Sequence, residues 1–323
     1  MRPAAVALVL VVVMFTSRSL GALTNRFYAG KCGTTDVESV VAQVMSAQFT
    51  NDSTILPALL RMQFHDCFVN GCDASILLDG LTSEKTAPPN KSVRGYEVID
   101  AVKAELERTC PRLVSCADII AMATRDVVAL GNGTRYEVQT GRRDGLVSRA
   151  SKSNANLPGP SISVSQLASL FDNKGLNVSD MVILLGAHTV GVTHCSFITN
   201  RLYNFQNTGQ TDPSLDLALA SQLKQTCPQT QTVDNSINLD QNISSSNTVD
   251  NSFYNQILLK RGVLQIDEAI ALDSLTRPTV SSLATGAIDF QTRFGQAMVK
   301  MGAIQVLSGK RGQIRRSCRA INR

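Results

Sequence analysis

Apolar side chains recur at Val37, Val40, Val41, Val44, Met45 and Phe49, the i, i+3, i+4 spacing of a buried helix face. Asn51-Asp52-Ser53 then offers caps, and Pro57 suits the first turn of a second helix. Leu59, Leu60 and Phe64 form the apolar face of that helix. Ser115-Cys116-Ala117-Asp118 has the form of a capping box with Asp in the Glu position, and predicts a helix through Ile119, Met122 and Ala123. Gly175 predicts a helix end. Ser179 is the expected cap of the next helix, which runs through Val182, Ile183, Leu184 and Leu185 toward His188. Residues 254–259 and 290–301 read as two more. Strand patterns are scarce, and 136–140 is the best of them. The Ser-, Thr-, Asn- and Gln-rich stretch 229–251 reads as a long loop, a feature often tied to function. Residues 151–160, ending Asn-Leu-Pro-Gly-Pro, read as the link between two helical lobes. The pattern predicts a mainly α chain with very little β.

The first residues predict a chain outside the cytosol. Arg2, an apolar run from Ala4 to Phe15 and small residues up to Gly21 predict a secretory signal over 1–21. The run is shorter than the roughly 20 residues of a membrane span, and no second long run follows. A soluble domain over 22–323 is expected, without a membrane segment. Net charge is +5, and loss of Arg2 and Arg18 takes it to +3. This mild basicity allows weak attraction to acidic polysaccharide but gives no reason to expect nucleic-acid binding. Arg311, Arg315, Arg316, Arg319 and Arg323 cluster near the C-terminus and read as a solvated tail. Eight cysteines downstream of the signal imply up to four disulfides, with the pairing left open. Sequons at Asn51, Asn132, Asn177 and Asn242 fit a glycoprotein, and Asn90-Lys91-Ser92 is formally another.

Candidate chemistry concentrates around histidine, of which the chain has three. In Arg61-Met62-Gln63-Phe64-His65-Asp66-Cys67, helical spacing puts Arg61 and His65 on one face with Phe64 beside them. His188, in Leu185-Gly186-Ala187-His188-Thr189-Val190-Gly191, follows an apolar stripe. It reads either as a core histidine or as an axial ligand, with Gly186 and Ala187 leaving room for a flat macrocycle. A zinc site shared by His188 and His194 is disfavoured, because six helical steps put them on opposite sides. The turn from Asp66 to Ser75, pinched by Cys67 and Cys72, carries oxygens at Asp66, Asp73 and Ser75. It suits a hard cation or a capped loop with solvated acids.

These two histidine segments, with Ser115-Cys116-Ala117-Asp118-Ile119, Gly141-Arg142-Arg143-Asp144, Asn156-Leu157-Pro158 and the eight cysteines, resemble the class III secretory plant haem peroxidases, the horseradish peroxidase family. The resemblance covers nearly all of the mature chain. It implies a two-lobed helical fold with one haem b between a distal lobe of about 22–155 and a proximal lobe of about 156–323. It implies His65 as distal acid/base, Arg61 as its cationic partner and Phe64 as a wall of the distal pocket. Asn90 would accept the other ring N–H of His65, which requires a buried Asn90 and an unused sequon. His188 would ligate iron, and Asp267 would accept its other N–H. Pro158 would line the access for reducing substrates.

Two calcium ions are implied as well. The distal ion would take Asp66, Val69, Gly71, Asp73 and Ser75. The proximal ion would take Thr189, Asp240, Ser245 and Asp250, with Ser244 an alternative to Ser245 because 240–250 is about two residues longer than usual. The implied disulfides are Cys32–Cys110, Cys67–Cys72, Cys116–Cys318 and Cys195–Cys227. The chain has no tryptophan, and Tyr136 stands where many relatives have one. The implied activity is that of a monomeric, secreted cell-wall enzyme. It would reduce hydrogen peroxide while oxidising phenolic donors, in lignin or suberin cross-linking, peroxide removal, auxin catabolism or stress response.

Overall fold

Asp36 opens the first helix by accepting the Glu38 amide, and α1 (Val37–Asn51) buries Val37, Val41 and Met45 of the predicted stripe. The computed structural model describes residues 23–230 and 232–323, so the signal expected at 1–21 lies outside the described residues. Helix α2 (Ile55–Val69) follows at once and has no side-chain cap at Thr54. Next come α3 (Tyr96–Thr109) and α4 (Cys116–Leu130), and α4 packs against all three preceding helices. Ser115 accepts the Asp118 amide as expected. The expected box is only half made, because Asp118 is drawn elsewhere. Its carboxylate takes Tyr28 Oη at 2.6 Å, the Gly141 amide at 2.7 Å and Arg142 Nη1 at 2.8 Å.

The rest of the chain forms α5 (Ala150–Asn156), α6 (Val164–Asp172), α7 (Val178–Leu185), α8 (Thr199–Tyr203) and α9 (Leu217–Thr226). It continues through α10 (Ser252–Leu258), α11 (Gln265–Leu272), α12 (Arg277–Ala284) and α13 (Phe290–Gly302). The chain is mainly α. Helix α7 starts two residues earlier than expected. Asn177, not Ser179, is the cap, and it forms a reciprocal box with Asp180. The expected link 151–160 is itself helical as far as Asn156.

Two small antiparallel pairs complete the fold. β1 (Thr24–Asn25) pairs with β2 (Gln139–Thr140), so only the end of the expected 136–140 strand is paired. β3 (Val192–His194) pairs with β4 (Ser236–Asn238), which lies inside the stretch expected to be loop. His194 is therefore on a strand, and the helical argument against a zinc shared with His188 does not apply. Among the described residues, no three His, Cys, Asp or Glu side chains converge on a metal position.

After α13 the chain returns to the first half. The Cys72 amide reaches Ile304 O at 3.0 Å, and the Asp79 amide reaches Arg319 O at 2.9 Å. Arg315 is fully buried and donates to Ala74 O at 2.6 Å and Cys318 O at 2.9 Å. The arginine-rich end is thus not a solvated tail: Arg315 is core, and its guanidinium donates to backbone carbonyls. Disulfides join Cys32–Cys110, Cys67–Cys72, Cys116–Cys318 and Cys195–Cys227.

Candidate active site and cation sites

Helix α2 does what its spacing predicts. Arg61 Nε donates to His65 Nε2 at 3.2 Å, one turn apart on one face. Arg61 Nη2 is held by Pro89 O at 2.9 Å. On the other side of the ring, His65 Nδ1 lies 2.6 Å from Asn90 Oδ1. Asn90 is itself fixed, since its Nδ2 donates to Glu84 O at 2.8 Å and to Ser153 Oγ at 3.1 Å. Its amide hydrogens are spent, so its oxygen is the atom facing His65. The network thus assigns the tautomer: Nδ1 carries the hydrogen and Nε2 carries the lone pair. Burial first, and the Arg61 charge second, pull the His65 pKa down to about 3. Phe64 meets the His65 ring edge-on at 5.7 Å and remains half-buried.

The second histidine lies just past α7. The helix ends at Leu185, and Gly186–Thr189 forms a single tight 3₁₀ turn. Gly186 is needed there, but for a different reason than expected. A Cβ would fall 2.2 Å from Tyr254 Oη and 2.5 Å from the Phe290 ring, so the glycine admits α10 and α13 rather than a macrocycle. His188 Nδ1 lies 2.8 Å from Asp267 Oδ1, and Asp267 is fully buried on α11. Burial disfavours the His188 imidazolium, but Asp267 outweighs it and the net pKa is raised. The Arg61 charge is also felt at His188 and opposes this rise. Arg61, Phe64, Pro158, Leu185, Ala187 and His188 are only half-buried.

One strap joins the two partners. Ser153 on α5 holds Asn90, Pro158 follows two residues past the helix, and Pro160 O accepts the Ile266 amide at 3.0 Å beside Asp267. This places Pro158 between the distal and proximal hydrogen-bond anchors.

A planar iron cofactor fits this arrangement on its donor chemistry. His188 spends Nδ1 on a carboxylate and keeps Nε2 for a metal, the usual pattern of a ligating histidine. His65 cannot do the same, since Nε2 already accepts from Arg61.

The oxygen-rich turn has the character of a hard-cation site. Asp66, Asp73, Ser75 and Glu84 are buried together. Asp66 accepts the Ala74 amide at 3.0 Å, and Asp73 the Ser75 amide at 2.9 Å. Burial raises the Asp66 pKa well above normal, and the neighbouring Asp73 and Glu84 add to the rise. Burial pushes Glu84 up to about 8, and its Oε2 has no partner. Of these carboxylates only Asp73 feels a nearby cation, Arg315, and such a buried set suits a hard cation. Val69 ends α2, and Gly71 makes the turn at φ 88. A Cβ on Gly71 would approach the Ile304 and Gln305 carbonyls to 2.8 and 2.7 Å.

A second oxygen cluster surrounds Thr189, whose Oγ1 donates to Asp250 Oδ1 at 3.0 Å. Asp240 Oδ1 accepts the Asn242 amide, while Asp240 Oδ2 is buried without a partner. Burial raises the Asp240 pKa, and the Asp250 charge adds to it. Ser245 Oγ is also buried with no well-formed hydrogen bond, whereas Ser244 Oγ is exposed and donates to Asn242 Oδ1 at 2.7 Å.

Sequence reasoning missed Glu84 as a buried neighbour of this cluster. Its nearness to Asp66 and Asp73 depends on the fold, and the Glu84-Lys85-Thr86 segment carries no metal motif of its own.

A family model described as peroxidase matches residues 41–286 of the chain. Peroxidase 60 of Arabidopsis thaliana is 53% identical over 96% of this chain and 93% of its own length. Peroxidase 28 of the same plant is 46% identical over the full length of both. Peroxidase 5 of Vitis vinifera is 46% identical over 92% of this chain and 90% of its own.

Proposed function

The chain belongs to the class III plant peroxidase family, haem enzymes acting on hydrogen peroxide, and we propose that it oxidises small phenols outside the cell, one electron at a time. The observation that carries the site assignment is a pair of histidines with contrasting partners. One is tied to an amide oxygen that leaves it neutral, the other to a carboxylate that makes it a strong ligand.

His188 would hold the iron of a single haem b between the distal and proximal lobes. When bound, the haem supplies the metal at which peroxide is cleaved and the conjugated edge through which donors deliver electrons. His65 supplies the proton transfers. Its neutral Nε2 accepts a proton from incoming peroxide and returns it to the departing oxygen, a role typically worth about 10²–10⁴-fold. Asn90 keeps Nδ1 protonated and so reserves Nε2 for this exchange. Arg61 places a fixed positive charge beside Nε2, where negative charge develops as the O–O bond breaks. Asp267 orients His188 and strengthens its donation to a metal. Phe64 walls the distal side, which keeps donors out, and Pro158 borders the access they use instead.

Calcium would be held by both oxygen clusters in this reading. Asp66, Asp73 and Ser75, with the Val69 and Gly71 carbonyls, form the distal site. Thr189, Asp240, Ser245 and Asp250 form the proximal one, and the partnerless Ser245 and Asp240 oxygens favour Ser245 over Ser244. Each set begins one residue after a histidine, so a bound ion anchors the segment that aims the ring. Four disulfides and the absence of any helix long and apolar enough to cross a membrane among the described residues support the extracellular assignment. We include weak attraction to acidic wall polysaccharide and a monomeric state in the same reading.

The test is peroxide-dependent oxidation of guaiacol and a panel of phenols by purified holoenzyme, with the absorbance spectrum recorded. Turnover with a Soret band is expected. A Soret band without turnover on any phenol would refute the donor assignment.

A further inference from the structure

Glu268 follows Asp267 on α11 and is as deeply hidden, at 1% exposure, yet none of the steps above uses it. Its Oε2 accepts the Gly262 amide at 3.1 Å, and its Oε1 has no partner. Gly262 lets the two come together, since a Cβ there would fall 2.9 Å from the Glu268 nitrogen and 3.2 Å from Glu268 Oε2. The bond closes residues 262–268 into a loop that carries Asp267 near its end. Arg201 of α8 grips the same loop, donating to the Gly262 carbonyl and to Val263 O at 2.9 Å.

Charge does not balance around this loop. Arg201 is the cation that acts on Glu268, and its Nε is already committed to Asp212 Oδ2 at 2.7 Å. Asp212 and Asp267 are both buried, and both charges reach Glu268. Other polar groups on the packed elements are engaged elsewhere or exposed. Arg261 turns to Gln256 and Asp216, Tyr254 of α10 donates to the Val182 and Ile183 carbonyls, and Asp172 of α6 and Arg277 of α12 are exposed. Two buried acids, Asp212 and Glu268, thus share one guanidinium, with Asp267 a third negative neighbour. Burial pushes the Glu268 pKa up to about 7; the Gly262 amide and Arg201 oppose the rise, and the Asp212 and Asp267 charges add to it.

We propose that Glu268 is a positioning residue for Asp267 and that its ionisation tunes the iron held by His188. The charged form grips Gly262 and puts a second negative charge beside Asp267. That charge raises the basicity of Asp267, and through it the electron density that His188 Nε2 offers a metal, which favours the ferric state. The neutral form relaxes this bias. All of this rests on His188 as the iron ligand.

The test is the ferric/ferrous midpoint potential of the holoenzyme from about pH 5 to about pH 9, with the iron–histidine stretch of the ferrous protein recorded by resonance Raman at each pH. In the parent the potential should fall through a step centred near pH 7, worth about fivefold or more in the ferric-to-ferrous ratio, and the stretch should rise with it. Glu268→Gln keeps an oxygen for the Gly262 amide but carries no charge, so it should lose the step and match the parent at the acid end only. Glu268→Ala removes the bond as well and should show a lower stretch than Glu268→Gln at every pH. Asp212→Asn hands Arg201 to Glu268 and should move the step to lower pH. A parent without the step, a Glu268→Gln variant that retains it, or equal stretches in the Gln and Ala variants would overturn the assignment. An unmoved step in Asp212→Asn would do so even if the Glu268 variants fail to take up haem. The ligand assignment fails separately, if His188→Ala keeps the iron–histidine band.

Discussion

His65 is the residue on which pH acts most directly. Its catalytic form is the neutral one, which exists above its pKa of about 3. Activity should therefore hold through mildly acidic pH and fall only as pH drops through about 3, where an ordinary histidine would fail near 6.5. The Arg61 charge is one cause of the depression, so Arg61→Leu should make protonation easier and move the acid limb to higher pH while lowering the maximal rate. A pH profile of the peroxide reaction for both proteins checks this; an unmoved limb in Arg61→Leu would remove the electrostatic link. Asn90 is nearly fully buried with both amide hydrogens engaged, so peptide mapping should find its sequon bare in active protein. The Arg61–His65 pairing is legible in sequence because helix period alone fixes it. The role of Gly186 is not, because Tyr254 and Phe290 come to it from distant helices.

At the scale of elements, each histidine is aimed by the segment that follows it. The turn after α2 and the stretch 240–250 bring buried oxygens beside Asp66 and Thr189, and calcium would pin both. Exhaustive chelation should lower the melting temperature and the turnover together, and calcium should restore them. Ser245→Ala should weaken the more sensitive of two calcium-binding steps in a titration, while Ser244→Ala leaves it unchanged; the reverse order would reassign the ligand. The capping errors have a physical reason. Asn177 and Ser179 are both acceptable caps by residue type, and the choice falls to Asn177 because Asp180 can reciprocate. At Ser115 the reciprocal half is lost, because the Asp118 carboxylate is engaged by the buried Arg142. Long helices such as α1 and α13 are readable from their stripes. Two- and three-residue strands are not, since pairing with a distant segment is all that defines them.

Across the whole molecule, the C-terminal segment closes the fold on its first half. Cys116 and Cys318 are 202 residues apart, and on the chain-entropy model their bridge contributes about 5 kcal/mol, less any strain. The pair Cys116→Ser, Cys318→Ser should unfold at lower denaturant with the Soret band still present in the folded protein. A midpoint equal to that of the parent would show that Arg315 and the backbone pairing suffice alone. The fully buried Arg315 explains why charge counting misreads this segment. A run of arginines looks solvated until the fold supplies Ala74 and Cys318 carbonyls for one of them. The most direct test of the account is stopped-flow mixing of hydrogen peroxide with parent and His65→Ala holoenzymes, followed at the Soret band. The variant should retain the band and react slower by at least about 10²-fold. A variant that keeps its haem and reacts at the parental rate would contradict the assignment of His65 as the group that moves the proton.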